Sequence, residues 1–167
     1  MKNNNNIKSI HIPAKCKGVS RLETCSSLEK ITVDKKSKFY YSDNNVLIKT
    51  DEENGDTGVF SPRNNSISEY KIPDGVARID GHAFQYNKSL EKVIVPEGCK
   101  FIGCYAFLDC KLLKEITLPE SLEKIEILKF EDLLLILNVS LDDINNKELY
   151  YEKEEGKNIR ILKKIRI

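Results

Sequence analysis

A strand-rich α/β solenoid is the fold class this 167-residue sequence predicts, on three observations. A strand-like tetrapeptide ending in proline returns as Tyr70-Lys71-Ile72-Pro73, Val93-Ile94-Val95-Pro96 and Ile116-Thr117-Leu118-Pro119, each proline 23 residues after the last. The segment Ile79-Asp80-Gly81-His82-Ala83-Phe84 returns as Ile102-Gly103-Cys104-Tyr105-Ala106-Phe107, and Leu90 returns as Leu113, so only apolar and small positions persist. Upstream, Ile10-His11-Ile12-Pro13 and Ile31-Thr32-Val33-Asp34 fill the same slot 21 residues apart, with Leu28 before the second. Units of this length bury apolar surface only by stacking on their neighbours, and the slots number five rungs.

The elements follow in order. Residues 1–6 include four consecutive asparagines and are expected to be a disordered leader, because they have nothing to bury. In each strand slot the side chains alternate, so Ile10 and Ile12, Ile31 and Val33, Tyr70 and Ile72, Val93 and Val95, and Ile116 and Leu118 face one core. Proline then ends the ladder, since it has no N–H to donate. Beyond it, Val76 and Ile79, or Cys99 and Ile102, point inward, and Ala83-Phe84 or Ala106-Phe107 are expected to pack a short helical turn against the sheet, with the phenylalanines stacked from rung to rung. Replacing Phe107 by alanine is expected to cost about 3–5 kcal/mol, the usual range for a buried aromatic ring.

These residues resemble the BspA-type leucine-rich repeats, whose unit reads approximately Leu-x-x-Ile-x-Ile-Pro, then Val-x-x-Ile-Gly-x-x-Ala-Phe-x-x-Cys. Gly103, Ala106-Phe107, Cys110, Leu113, Ile116, Leu118 and Pro119 all fall in register, and the resemblance covers roughly residues 7–125. It implies a right-handed leucine-rich-repeat solenoid with one parallel sheet, short turns or helical segments on the opposite side, and an inserted hairpin. Residues 34–66 look like that hairpin, with Tyr40-Tyr41-Ser42-Asp43-Asn44-Asn45-Val46-Leu47 where the family shows Tyr-Ser-x-x-Gly-Val-Leu. Asn45 replaces the usual glycine, and asparagine tolerates a left-handed backbone better than most residues.

After Ile125 the repeat pattern stops. Leu149-Tyr150-Tyr151 and Ile159-Arg160-Ile161 flank residues 154–158 as strands flank a hairpin turn, and Leu133-Leu134-Leu135-Ile136-Leu137 is an apolar run too short to span a membrane. Residues 126–167 are therefore expected to cap the open end, with an independent small domain as the alternative. At the other end the first rung is expected to expose its edge, which invites self-association.

Composition narrows the function classes. With 27 basic and 26 acidic side chains the formal charge is +1, which implies neither nucleic acid nor an anionic membrane as partner. The start is polar, with a single lysine where a secretory signal carries a basic patch and an apolar core, so a cytoplasmic location is expected, or the cell surface if the chain is part of a longer protein. The five cysteines are expected to be reduced. Cys25 and Cys110 share one core slot with Asn87, Cys16 and Cys99 share another with Val76 and Leu122, and paired equivalents lie three rungs apart, about 14 Å at about 4.8 Å per rung.

Two outward rows of the sheet are the candidate site. The first reads Ser9, Lys30, Glu69, Lys92, Glu115 and alternates in sign from Lys30 onward, as a charge ladder or a ligand surface would. The second reads His11, Thr32, Lys71, Ile94, Thr117, in which Ile94 puts an apolar side chain on a polar face. Binding is accordingly expected to fall to His11, Lys30, Glu69, Lys71, Lys92, Ile94 and Glu115, or these residues serve register and solubility only.

The insertion gathers Phe39, Tyr40, Tyr41 and Phe60 around an acidic loop whose spacing does not match a calcium site, and Asn54-Gly55 within it is a turn signal. Catalysis has thin material: Cys104 stands one rung from His82, but no carboxylate or amide is placed by sequence to orient the histidine. No phosphate loop or zinc spacing occurs, so no cofactor or metal is expected. Asn64, Asn87 and Asn138 match the glycosylation sequon, as an asparagine-rich chain does by chance. The expected function is non-enzymatic protein recognition by an unidentified protein partner. The resemblance implies an adhesion-related or intracellular role, with a structural remnant of a larger surface protein as the rival.

Overall fold

The computed structural model of the protein describes residues 6–127, 148–153 and 160–166. The expected apolar run at 133–137 and the hairpin turn at 154–158 lie outside the described residues, as does all of the leader but Asn6. Among the described residues there are thirteen strands: β1 (Ser9–Ile12), β2 (Lys30–Val33), β3 (Tyr40–Asp43), β4 (Val46–Lys49), β5 (Asp56–Phe60), β6 (Glu69–Lys71), β7 (Val76–Ile79), β8 (Lys92–Ile94), β9 (Phe101–Ile102), β10 (Glu115–Thr117), β11 (Lys124–Ile127), β12 (Glu148–Lys153) and β13 (Arg160–Arg166). The five repeat slots form the front strands β1, β2, β6, β8 and β10, and their neighbours pair in parallel at the predicted register, such as Ile10 with Ile31 and Val93 with Ile116.

Four of the five front strands are followed by a turn that a proline shapes. The N–H of the third residue onward returns to the proline carbonyl, Cys16 to Pro13, Val76 to Pro73, Cys99 to Pro96 and Leu122 to Pro119, at 3.0–3.3 Å. In the third and fourth rungs Gly75 and Gly98 occupy the left-handed position of this turn, at φ of 94° and 90°, as a type II turn requires. The chain then re-enters a ladder on the back, where β5, β7, β9 and β11 pair in parallel. The solenoid therefore has a second sheet where only turns or helical segments were expected. Val76 and Ile79, and their equivalents Cys99 and Ile102, are fully buried.

The expected short helical turn is likewise replaced. Apart from a 3-10 turn at Leu22–Thr24 there is no helix among the described residues. In the Ala83-Phe84 segment, His82, Phe84 and Tyr86 donate their N–H groups across to the carbonyls of Cys104, Ala106 and Leu108 at 2.8–3.0 Å. Backbone groups committed to the next rung cannot also close a helix. The left-handed residues that alternate along the segment, His82 and Tyr86 with their equivalents Tyr105 and Asp109, break helical geometry too. The aromatic stack is as expected: Phe84 and Phe107 lie 5.2 Å apart with an interplanar angle of 9°. Gly103 permits this close stacking, since a Cβ there would sit 2.4 Å from the Gly81 backbone nitrogen.

The insertion does more than cover a side. It is a three-stranded antiparallel meander, β3–β4–β5, with Asn44 and Asn45 both left-handed in the two-residue turn between β3 and β4. Strand β4 is buried on both faces. Val46 and Ile48 join the core of the last three rungs, while Leu47, with Tyr40 and Phe60, joins a separate core under the first two. The meander is thus a partition between two hydrophobic cores. Its consequence is a break in the front: β1–β2 and β6–β8–β10 are separate sheets, so the expected single parallel sheet is interrupted between β2 and β6. On the back the sheet is continuous, running β3-β4-β5-β7-β9-β11 and then antiparallel β13 and β12.

The cysteine slots are built as predicted for Cys25, Cys99 and Cys110, which are buried free thiols. The Cys110 thiol donates to the Phe84 carbonyl at 3.0 Å, and burial pushes its pKa up to about 12. Asn87, fully buried in the equivalent slot, satisfies itself with four hydrogen bonds. Its Nδ2 donates to Ser61 Oγ and the Pro62 carbonyl, and its Oδ1 accepts from the N–H groups of Ser89 and Leu90.

Candidate functional site

The interrupted front divides the seven predicted residues into two groups. Strand β8 is the centre of the larger one. Its Lys92 stands in register with Glu69 on β6 and Glu115 on β10, and its Ile94 stands between Lys71 and Thr117. Lys92 Nζ lies 3.0 Å from Glu115 Oε1, and the hydrogen bond to Glu115, then its charge and that of Glu69, hold the Lys92 ammonium above the ordinary lysine value. Lys114 reaches Glu91 at 2.7 Å and Lys100 reaches Glu123 at 3.0 Å, each again one repeat away. Pairs this exposed are screened by solvent, so their main effect is on register and charge balance.

Within that compensated frame Ile94 is half-buried, flanked in sequence by the buried Val93 and Val95. Lys71 turns toward Asp74 at 3.6 Å. The result is an apolar centre with a rim of paired charges.

The smaller group is elsewhere. His11 and Lys30 belong to the β1–β2 sheet, where His11 Nδ1 lies 3.0 Å from Thr32 Oγ1 and Lys30 opposes Ser9. Lys30 and Glu69 are not neighbours, so the alternating ladder expected from Lys30 onward begins at Glu69. The partition by β4 is the reason, and an uninterrupted repeat register could not reveal it.

A polar seam lies where the meander meets β6. Burial first, then the charge and hydrogen bond of Asp56 and the charge of Asp43, push the Tyr41 phenol up to about 12. Burial, then Asp43, raises Tyr70 further. Tyr70 Oη makes no hydrogen bond of good geometry, although the Asp43 carboxylate is close enough to oppose its ionisation.

The material for catalysis is rearranged. His82 Nδ1 lies 2.9 Å from Gln85 Oε1, so an amide does orient this imidazole, contrary to the sequence expectation; its own strained turn brings Gln85 there. The imidazole lies against the Tyr105 ring with centroids 5.1 Å apart, and the His82 N–H donates to the Cys104 carbonyl, a ladder bond rather than a catalytic one.

Sequence reading missed a second stack. On the back, Arg78, Phe101 and Lys124 recur at the repeat spacing, with the Arg78 guanidinium 4.1 Å and the Lys124 ammonium 5.4 Å from the Phe101 ring centroid. The period itself was the signal for it, since the three positions are 23 residues apart.

Comparison with known proteins places this architecture. A sequence description of the BspA type leucine rich repeat region, in six copies, matches residues 56–166, and so extends past Ile125, where the resemblance was expected to stop. A leucine rich cell surface protein from Faecalibacterium prausnitzii has a similar structure, with a TM-score of 0.64 and 32% identity over 70% of this chain and 31% of its own. The pneumococcal vaccine antigen PcpA is similar with a TM-score of 0.64 and 28% identity, over 71% of this chain and 29% of its own. The chain therefore spans about three tenths of the length of these two proteins. No curated protein matches it.

Proposed function

Because the chain belongs to the BspA-type leucine-rich repeat family, we propose that it is a non-enzymatic recognition module which binds a protein partner through the front strip β6–β8–β10. The observation that carries this reading is Ile94, an aliphatic side chain on an outward strand face, centred among Lys71, Glu69, Lys92 and Glu115. An apolar centre inside a polar rim is the anatomy of a protein interface, and the neutralised rim lowers the cost of desolvating its charges. His11 and Lys30 lie on the separate sheet and stand outside this strip.

Both structural relatives are named as surface leucine-rich or vaccine-antigen proteins, which favours an adhesion-related surface setting over the cytoplasmic one. Among the described residues no helix is long and apolar enough to cross a membrane. The β12–β13 hairpin acts in this reading as the cap that covers the last back strand. Surface proteolysis of intact source cells, quantified against a cytosolic control, tests the setting: selective loss supports it and full protection refutes it. Photo-crosslinking from a probe at Thr117 tests the strip. A discrete adduct that disappears when Ile94→Lys is combined with the probe supports recognition there, and an adduct unaffected by that change argues against it.

A further inference from the structure

The turns that follow β1 and β2 are the same turn one rung apart. Cys16 donates its N–H to the Pro13 carbonyl at 3.0 Å and Ser37 to that of Asp34 at 2.9 Å, while the Asp34 N–H bonds across to the Ile12 carbonyl at 2.9 Å. Lys15 is thereby the equivalent of Lys36 and Lys17 that of Lys38, one rung of about 4.8 Å away, and Lys35 lies beside them. All five lysines are exposed, and none has an ion-pair partner among the described residues. The acid within the two turns is Asp34, whose Oδ1 accepts the Lys36 N–H at 2.8 Å.

In the last three rungs the same turn has the opposite sign. It carries Asp74, Glu97, Glu120 and Glu123, and its one lysine, Lys100, is paired with Glu123 at 3.0 Å. Like charges on neighbouring rungs repel, so the first two rungs bear a cost that the later ones avoid. The backbone under the lysines is held in place all the same. Tyr40 Oη donates to the Lys17 carbonyl at 3.4 Å and accepts from the Val19 N–H at 3.2 Å, and Ser37 Oγ accepts from the Phe39 and Tyr40 N–H groups at 3.3 and 3.2 Å. A self-repelling cluster on a fixed backbone is a local inconsistency of the kind that binding sites carry.

The surroundings select the kind of anion. A protein interface has an apolar centre and few lysines, yet the large apolar side chains exposed among the described residues, Tyr86 and Leu112, belong to later rungs. Nucleic acid bases require an open aromatic face, and half-buried Phe39 already has the Lys17 ammonium 5.6 Å from its ring centroid. Dense, sequence-independent negative charge is what such a lysine cluster matches. We propose that the paired turns bind a linear sulfated polysaccharide, whose sulfate groups bridge the lysines of the two rungs. This surface lies on the far side of the β4 partition from the β8 strip and does not depend on it.

The test is fluorescence anisotropy of the full chain with a fluorescein-labelled heparin hexasaccharide. Saturable binding is expected, weakening as salt is raised. Lys36→Gln/Lys38→Gln should weaken it by about tenfold or more, whereas Lys100→Gln/Lys114→Gln, an equal change in net charge, should alter it by less than about twofold. All four lysines are exposed, and the Lys36→Gln/Lys38→Gln variant should melt no lower than the parent protein, since it relieves repulsion. Absence of saturable binding overturns the proposal. Equal weakening by the two double variants also overturns it, as attraction without a site. So does tighter binding of a glutamate hexapeptide, a thymidine oligonucleotide or phosphatidylserine vesicles that the hexasaccharide does not displace.

Discussion

Asn87→Ala removes more than a side chain from the third rung. Asn87 is fully buried and closes four hydrogen bonds, at 3.3 and 3.2 Å to Ser61 Oγ and the Pro62 carbonyl and at 3.0 and 2.9 Å from the Ser89 and Leu90 N–H groups. Leu90 is itself fully buried, so its N–H would have no water to replace the lost acceptor, whereas half-buried Ser89 could be hydrated. A buried group left unsatisfied costs about 1–3 kcal/mol, and the Leu90 N–H is that group, since the Pro62 carbonyl keeps the Asn65 N–H at 3.1 Å. For a chain of this size that lowers Tm by roughly 2–12 °C. Asn87→Cys should recover part of the loss, because Cys110 shows that a thiol in this slot donates to a carbonyl of the preceding rung. Urea titration at constant m-value, or calorimetry, reads the difference. An Asn87→Ala variant that melts with the parent protein would refute the reasoning, as would a cysteine variant no more stable than alanine.

Three further outcomes follow from the packing. Phe107→Ala should cost about 3–5 kcal/mol, because it deletes one ring of the Phe84–Phe107 stack; unchanged chemical denaturation would contradict the stack. Gly103→Ala should destabilise by about 1–3 kcal/mol, since its Cβ would meet the backbone of the previous rung rather than a side chain that can move; a neutral substitution would show the rungs to be further apart. Alkaline pH should weaken the fold. Tyr41 and Tyr70 have folded-state values above the ordinary 10.0, so their contribution is complete below about pH 10 and is lost as pH rises through the folded-state values, about 12 for Tyr41. Phenolate absorbance should show a late-ionising component from Tyr41 and Tyr70, and Tyr41→Phe should remove part of it.

What the sequence disclosed was whatever repeats. The front strands, their register, the proline turns and the stacked phenylalanines all follow from apolar positions returning at one period, and the same period placed Lys92 opposite Glu115. The insertion does not repeat, and its effect was hidden for that reason. Val46-Leu47-Ile48 reads as a run buried on both faces, but no local signal says that Leu47 serves one core and its neighbours another. The left-handed positions at His82, Tyr86, Tyr105 and Asp109 were invisible because none is a glycine, so a helical turn was expected where the backbone bonds outward to the next rung.

The central claim is that recognition resides on β6–β8–β10 and stops at the break between β2 and β6. The direct measurement is partner binding, by the crosslinked adduct, for single substitutions on both sides of that break. The account predicts that Lys71→Glu and Ile94→Lys abolish the adduct while His11→Ala and Lys30→Glu retain it, all four melting as the parent protein does. Loss of the adduct with His11→Ala or Lys30→Glu, or its survival with Ile94→Lys, would contradict it.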